Sequence, residues 1–214
     1  MLMAAIPILI ELFTSQGCSS CPPADALLQR LNDAQPVAGA QLVVVSEHVD
    51  YWNNLGWRDP FSSAQFSERQ GSYPGFRTYT PQAMVDGRVD AVGSDREAIE
   101  TAVKGALSDP HGTIALDRSD AALKIRIDQL PKGHAAADVV VAFVEDGLSV
   151  QVDRGENAGR TLKHVAVARS LETVGSVPEA GLAWSGEVKP HGALRAVVFV
   201  QERRSRHVLA SAMK

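Results

Sequence analysis

Gln16-Gly17-Cys18-Ser19-Ser20-Cys21-Pro22-Pro23 is the stretch that most limits what this chain can fold into. It holds both cysteines of the 214-residue chain, separated by two residues. An apolar run from Ile8 to Phe13 precedes it. After it, Ala24, Leu27, Leu28 and Leu31 fall at i, i+3, i+4 and i+7, the spacing of one helix face. The pair therefore sits on a strand-to-helix turn, at or just inside a helix N-terminus. Unpaired N–H groups and the positive dipole end there favour a thiolate over a thiol. Pro22 and Pro23 suit the first turn, where a missing N–H costs little.

Three chemistries fit such a pair. In thiol–disulfide exchange, Cys18 on the exposed rim attacks and Cys21, one turn further in, resolves the mixed disulfide. In a metal site, the two thiolates hold Cu(I) or zinc with a third ligand; a four-cysteine zinc site is excluded within one chain, because no second pair exists. In the third, the disulfide only staples the turn of an adaptor. The first needs no organic cofactor, and its partner is a protein or small-molecule thiol or disulfide.

Composition narrows the classes. The net charge of -4 carries no basic footprint for nucleic acid. No apolar run approaches transmembrane length, so no stable membrane insertion is expected. Met1–Ile10 is apolar without a basic start. It is read as the remnant of a trimmed signal, giving a periplasmic or secreted protein, or as no signal, giving a cytoplasmic one.

Further along, Gln41–Glu47 reads as a buried parallel strand. An aromatic, Asn-rich loop from His48 to Pro60 leaves its C-terminal end, the edge where open α/β sheets bind ligands. A short helix over about 62–70 follows. Then comes a hairpin turning at Asp86-Gly87, and a helix started by a Ser94/Glu97 capping box. Right-handed crossovers place the first two strands side by side and parallel. Past Pro110 the texture changes to short strands, with Leu123, Ile125 and Ile127 alternating with charges. The expected architecture is an α/β domain over 1–110 and an antiparallel β-sandwich-like domain over 111–214, the latter a candidate surface for a partner protein.

The Cys18/Cys21 strand–turn–helix and the Thr80-Pro81 before a hairpin resemble a thioredoxin fold. The resemblance implies a thioredoxin-like N-terminal domain in which the Thr80–Pro81 bond is cis and Pro81 faces Cys18. More closely, the chain resembles a mostly bacterial thioredoxin-like family known only as domain of unknown function 1223. The matching stretches are Glu11–Asp25, Val49–Trp52, Leu55–Trp57, Tyr79–Gln82 and Gly155–Arg160. Members usually begin with an export signal. The motif departs from thioredoxin proper: Gln16-Gly17 replaces the aromatic before the first cysteine, and Ser19-Ser20 replaces Gly-Pro between the two.

The resemblance also implies that Glu11, inside the first strand, takes the proton of Cys21; the competing reading pairs Glu11 with a base or turns it to solvent. His48 could be a third metal ligand beside Cys18 and Cys21, a cation lowering the thiolate pKa, or a hydrogen-bonded loop histidine. Tyr51, Trp52, Trp57, Arg58 and Asp59, with Thr80, could line a substrate groove, or the loop could pack on itself. Gly155–Arg160 reads as a structural turn near the domain interface.

Overall fold

The computed structural model describes residues 5–214; Met1–Ala4, where the apolar leader-like start falls, lie outside the described residues. Strand β1 (Ile6–Thr14) leads through the cysteine turn into helix α1 (Pro22–Ala34). Strand β2 (Ala40–His48) follows, then the long loop, helix α2 (Ala64–Gly71), the hairpin β3 (Gln82–Val85) and β4 (Val89–Val92), and helix α3 (Arg96–Ala106). The remainder is strand: β5 (Thr113–Arg118), β6 (Leu123–Asp128), β7 (Ala137–Glu145), β8 (Leu148–Gln151), β9 (Thr161–His164), β10 (Val167–Val177), β11 (Trp184–Val188), β12 (Arg195–Glu202) and β13 (Val208–Met213).

The expected α/β thioredoxin-like domain followed by a β-sandwich is corrected here. One mixed eight-stranded sheet, ordered β13-β12-β7-β10-β2-β1-β3-β4, runs through strands from both sides of residue 110. Only three helices accompany it among the described residues. The seam is β10 against β2, parallel at Val167 and Ser46, with Ser46 N donating to Ala166 O at 2.8 Å. A buried strand such as β2 has two edges to satisfy. β1 takes one in parallel register and β10, more than a hundred residues later, takes the other.

The sheet curls so that its halves share a core: Leu9, Val43 and Val45 belong to one buried cluster with Val140, Ala142, Val144 and Phe199. Val208 N donates to Asp86 O at 2.9 Å, bringing the far edge strand back to the β3–β4 turn. A smaller sheet, β11-β6-β5, packs Leu123, Ile125 and Ile127 against Val139, Val141 and Val198. Local chemistry explains several boundaries. Asp95, not Ser94, caps α3 by accepting from Ala98 N, and with alanine at that position a simple N-cap replaces the expected Ser94/Glu97 capping box. The run Leu162–Leu171 is divided at Ala166, which takes φ 51° between β9 and β10.

Candidate functional site: a covered disulfide over a buried acid–histidine cluster

Cys18 and Cys21 form a disulfide with Cα atoms 5.4 Å apart. Cys21 occupies the N-cap of α1, with Pro22 and Pro23 in the first turn, so the helix starts at the bond. Both cysteines are 0 % exposed, whereas Ser19 and Ser20 between them are exposed. The expected exposed rim for Cys18 is therefore corrected: chain from far away covers it.

The cover is Gly155–Arg160. Asn157, itself buried, donates from Nδ2 to Gln16 O and Cys18 O, both at 2.9 Å, and accepts from Arg160 Nη1 at 2.8 Å. Glu156 accepts from Ser19 N at 2.9 Å, and its hydrogen bonds with Ser19 hold the carboxyl below its ordinary pKa. Gly155 takes φ +78°, and a Cβ there would stand 3.1 Å from Trp57 Cβ, so the loop lies hard against the aromatic segment. What read as a structural turn is the roof of the site.

The aromatic loop forms the wall. Trp52 Nε1 donates to Thr80 Oγ1 at 2.8 Å, and a Cβ on Gly17 would lie 3.1 Å from Trp52 Cβ. Trp57 Nε1 donates to Gln16 Oε1 at 3.0 Å. Thr80–Pro81 is cis, and Pro81 is buried. Its Cβ and that of Ala24 both approach the same face of Gly93, where an added Cβ would stand 3.1 Å from each. Pro81 thus lies beside the first turn of α1. Tyr51 sits further out, exposed, donating to Gln70 Oε1 at 3.1 Å.

Beneath the disulfide is a polar floor. Paired residues on adjacent parallel strands point to the same face, so Thr14 and His48, and Leu12 and Ser46, share the face that α1 covers. His48 Nδ1 meets Asp59 Oδ2 at 2.7 Å, so Nδ1 carries the proton and Nε2, buried, has no partner. Burial raises the Asp59 carboxyl, but the charge and hydrogen bond of His48 and the N–H groups of Gln16 and Phe61 outweigh it and hold it below the ordinary carboxylate value. Trp57 can only donate, so it fixes the Gln16 amide with its nitrogen toward His164 Nε2, at 3.2 Å. The His164 proton then sits on Nδ1, which faces Asp25 Oδ1 at 3.8 Å. Asp25 is 5 % exposed, one turn after Cys21 on α1, and neither oxygen has a hydrogen-bond partner. The two imidazoles lie edge to face at 4.7 Å.

Glu11 lies elsewhere. It shares a face with Phe13 and Glu47, on the side of the sheet away from α1. Its carboxylate is taken by Arg69 Nε and by Tyr73 OH. The guanidinium, held more basic by Glu11, Tyr73 and Glu47 despite its burial, also donates to Gln201 Oε1 on β12 at 3.1 Å. Burial pushes the neighbouring Glu47 carboxyl well above its ordinary value. This cluster ties the halves of the curled sheet together, and the acid near Cys21 is Asp25. His48 Nδ1 is committed to Asp59, and no group of three or more His, Cys, Asp or Glu among the described residues is arranged to hold a metal.

Asp25, His164, Asn157 and Glu156 escaped notice as site residues. Asp25 had a signal: it stands four residues after Cys21, bordering an apolar stripe. The other three are joined to the turn only by the fold.

These features define a class: a curled mixed β-sheet with a covered disulfide at a helix N-terminus. The chain belongs to the family described as protein of unknown function (DUF1223), which it matches over residues 9–201. It is similar to the crystal structure of protein AGR_C_4864 from Agrobacterium tumefaciens, with TM-score 0.80 and 26% identity over 99% of this chain and 95% of that one. HBP35 of Porphyromonas gingivalis shares the fold at TM-score 0.65 and 10% identity, over 99% of this chain and 76% of that one. No curated protein matches. No helix among the described residues is long and apolar enough to cross a membrane.

Proposed function

We propose that the protein carries out thiol–disulfide exchange at Cys18 and Cys21. The observation that carries this reading is Asp25, a buried carboxylate without a hydrogen-bond partner, one turn below the bond. A buried carboxyl group without a hydrogen bond costs about 1–3 kcal/mol, and a turn staple has no use for one. Such costs are tolerated where a proton must move. In the reduced protein the Cys18 thiolate attacks a substrate disulfide, forming a mixed disulfide and releasing one substrate thiolate. Cys21 gives its proton to Asp25, attacks Cys18 Sγ and expels the second substrate sulfur, which takes up a proton. With the proton that Cys18 gave up on becoming a thiolate passing through solvent to the first substrate sulfur, the sum is one disulfide reduced to two thiols while the protein dithiol becomes its disulfide. The same residues serve the reverse reaction, and the reduction potential sets the direction.

The complete burial of both cysteines favours a second reading, a structural staple. Measuring the reduction potential together with turnover of a disulfide substrate separates the two. A potential above about −300 mV with turnover supports exchange. A lower potential without turnover leaves the staple.

A further inference from the structure

Beside the site a cleft of about 510 Å³ opens between α1 and β9, with Asp25 at its floor and Pro22, Leu162, Arg160 and Lys163 among its lining. Resting on the exchange reading, we infer that this cleft binds the substrate, and that the substrate is a carboxylate-bearing thiol or disulfide such as an acidic peptide.

Three observations carry the inference. First, Arg160 and Lys163 are both exposed on the cleft, and neither is in an ion pair among the described residues. Two unpaired cations on one rim are a ready site for carboxylates. Second, the Asp25 carboxylate is buried, unpartnered and part of the cleft wall. Its oxygens lie just under the cleft surface, so the sulfur end of a ligand comes to rest over them while the cations at the rim meet the ligand's carboxylates. Third, Arg160 is also the residue that holds Asn157 Oδ1, and Asn157 holds down the cysteine turn. A carboxylate that draws the guanidinium away competes with that bond and loosens the cover. Substrate binding thereby exposes a disulfide that is otherwise buried.

Binding and exchange are tested separately. S-methylglutathione, an acidic thioether that cannot exchange, is titrated into the oxidised protein and into Lys163→Glu, at an exposed residue outside the ion pairs of the described residues. The expected result is measurable binding, with Kd raised at least about threefold in the variant, as loss and reversal of one exposed charge pair implies. In parallel, the reduced protein is mixed with oxidised glutathione, neutral 2-hydroxyethyl disulfide and cationic cystamine. The ratio of the glutathione rate to that of the neutral disulfide should be high in the parent and fall in Lys163→Glu. Absence of S-methylglutathione binding, or equal affinity in both proteins, overturns the cleft assignment even if all three disulfides are reduced. Lys163-dependent binding without reduction of any disulfide upholds the cleft and refutes the exchange reading instead.

Discussion

Asn157→Ala tests the cover most directly. The side chain is fully buried and donates to Gln16 O and Cys18 O, two carbonyls that flank the start of the cysteine turn. Removing it takes a donor from both and leaves Cys18 O with only the N–H of Cys21, at 3.2 Å. At about 1 kcal/mol for each net hydrogen bond, closing of the cover weakens by ~2 kcal/mol. Every 1.4 kcal/mol is tenfold, so the open population rises roughly 30-fold. When opening is fast relative to attack, reduction tracks that population. The assay follows reduction of Cys18–Cys21 by dithiothreitol, quenched by alkylation and read by mass spectrometry, with circular dichroism confirming that the variant is folded. The expected rate is roughly 10- to 30-fold above the parent's. A folded variant reduced within twofold of the parent rate would show that reagents reach the bond by another route, and the reasoning about the cover would fail.

Other variants probe the remaining parts. Asp25→Asn should slow resolution of the mixed disulfide by about 100-fold or more and flatten its pH profile, read by quenched-flow alkylation of the mixed disulfide. Glu156 and Asp59 both have pKa values depressed in the folded state. Their contributions are complete above the ordinary carboxylate range and are lost as pH falls through the depressed values. Reduction by a phosphine, followed from pH 6 down to about 3, should therefore accelerate at the acid end, and a flat profile would count against these contacts. Arg69→Met strands Glu11 in the core and should cost about 3–5 kcal/mol in chemical denaturation, with the cysteine chemistry of the folded fraction unchanged. Gly93→Ala drives a methyl against Leu12 Cδ1, 2.6 Å away, and against Ala24 and Pro81. A loss of about 1–3 kcal/mol in thermal unfolding is expected.

What the sequence discloses is what local patterns encode. The α1 stripe, the Asp86-Gly87 hairpin and the parallel pairing of β1 with β2 all follow from spacing over a few residues. The division into an α/β unit and a separate sandwich fails because strand pairing is not local. Nothing in Val167 or Ser46 announces that they meet, yet that one register pair makes a single sheet of both halves. The site shows the same split. Cys18 and Cys21, and the aromatic loop, stand out by residue type. Asn157 reads as a turn former, and its role becomes visible only when the fold sets it on Cys18 O, 139 residues away in the chain. Glu11 shows the opposite failure: an acid within an apolar strand looks like a proton acceptor until Arg69, 58 residues on, is found against it. Composition cannot tell which face of a fully buried strand an acid occupies.

That separation has a consequence for biogenesis. At about 5–20 residues per second, translation delivers Asn157 on the order of ten seconds after Cys18. Through that interval the nascent thiols have no roof, and any oxidant able to reach the growing chain can close the bond. Alkylation of ribosome-bound chains truncated before residue 150 should find this bond forming more readily than in the finished protein, whose second half arrives as a seal over a reaction that has had time to occur.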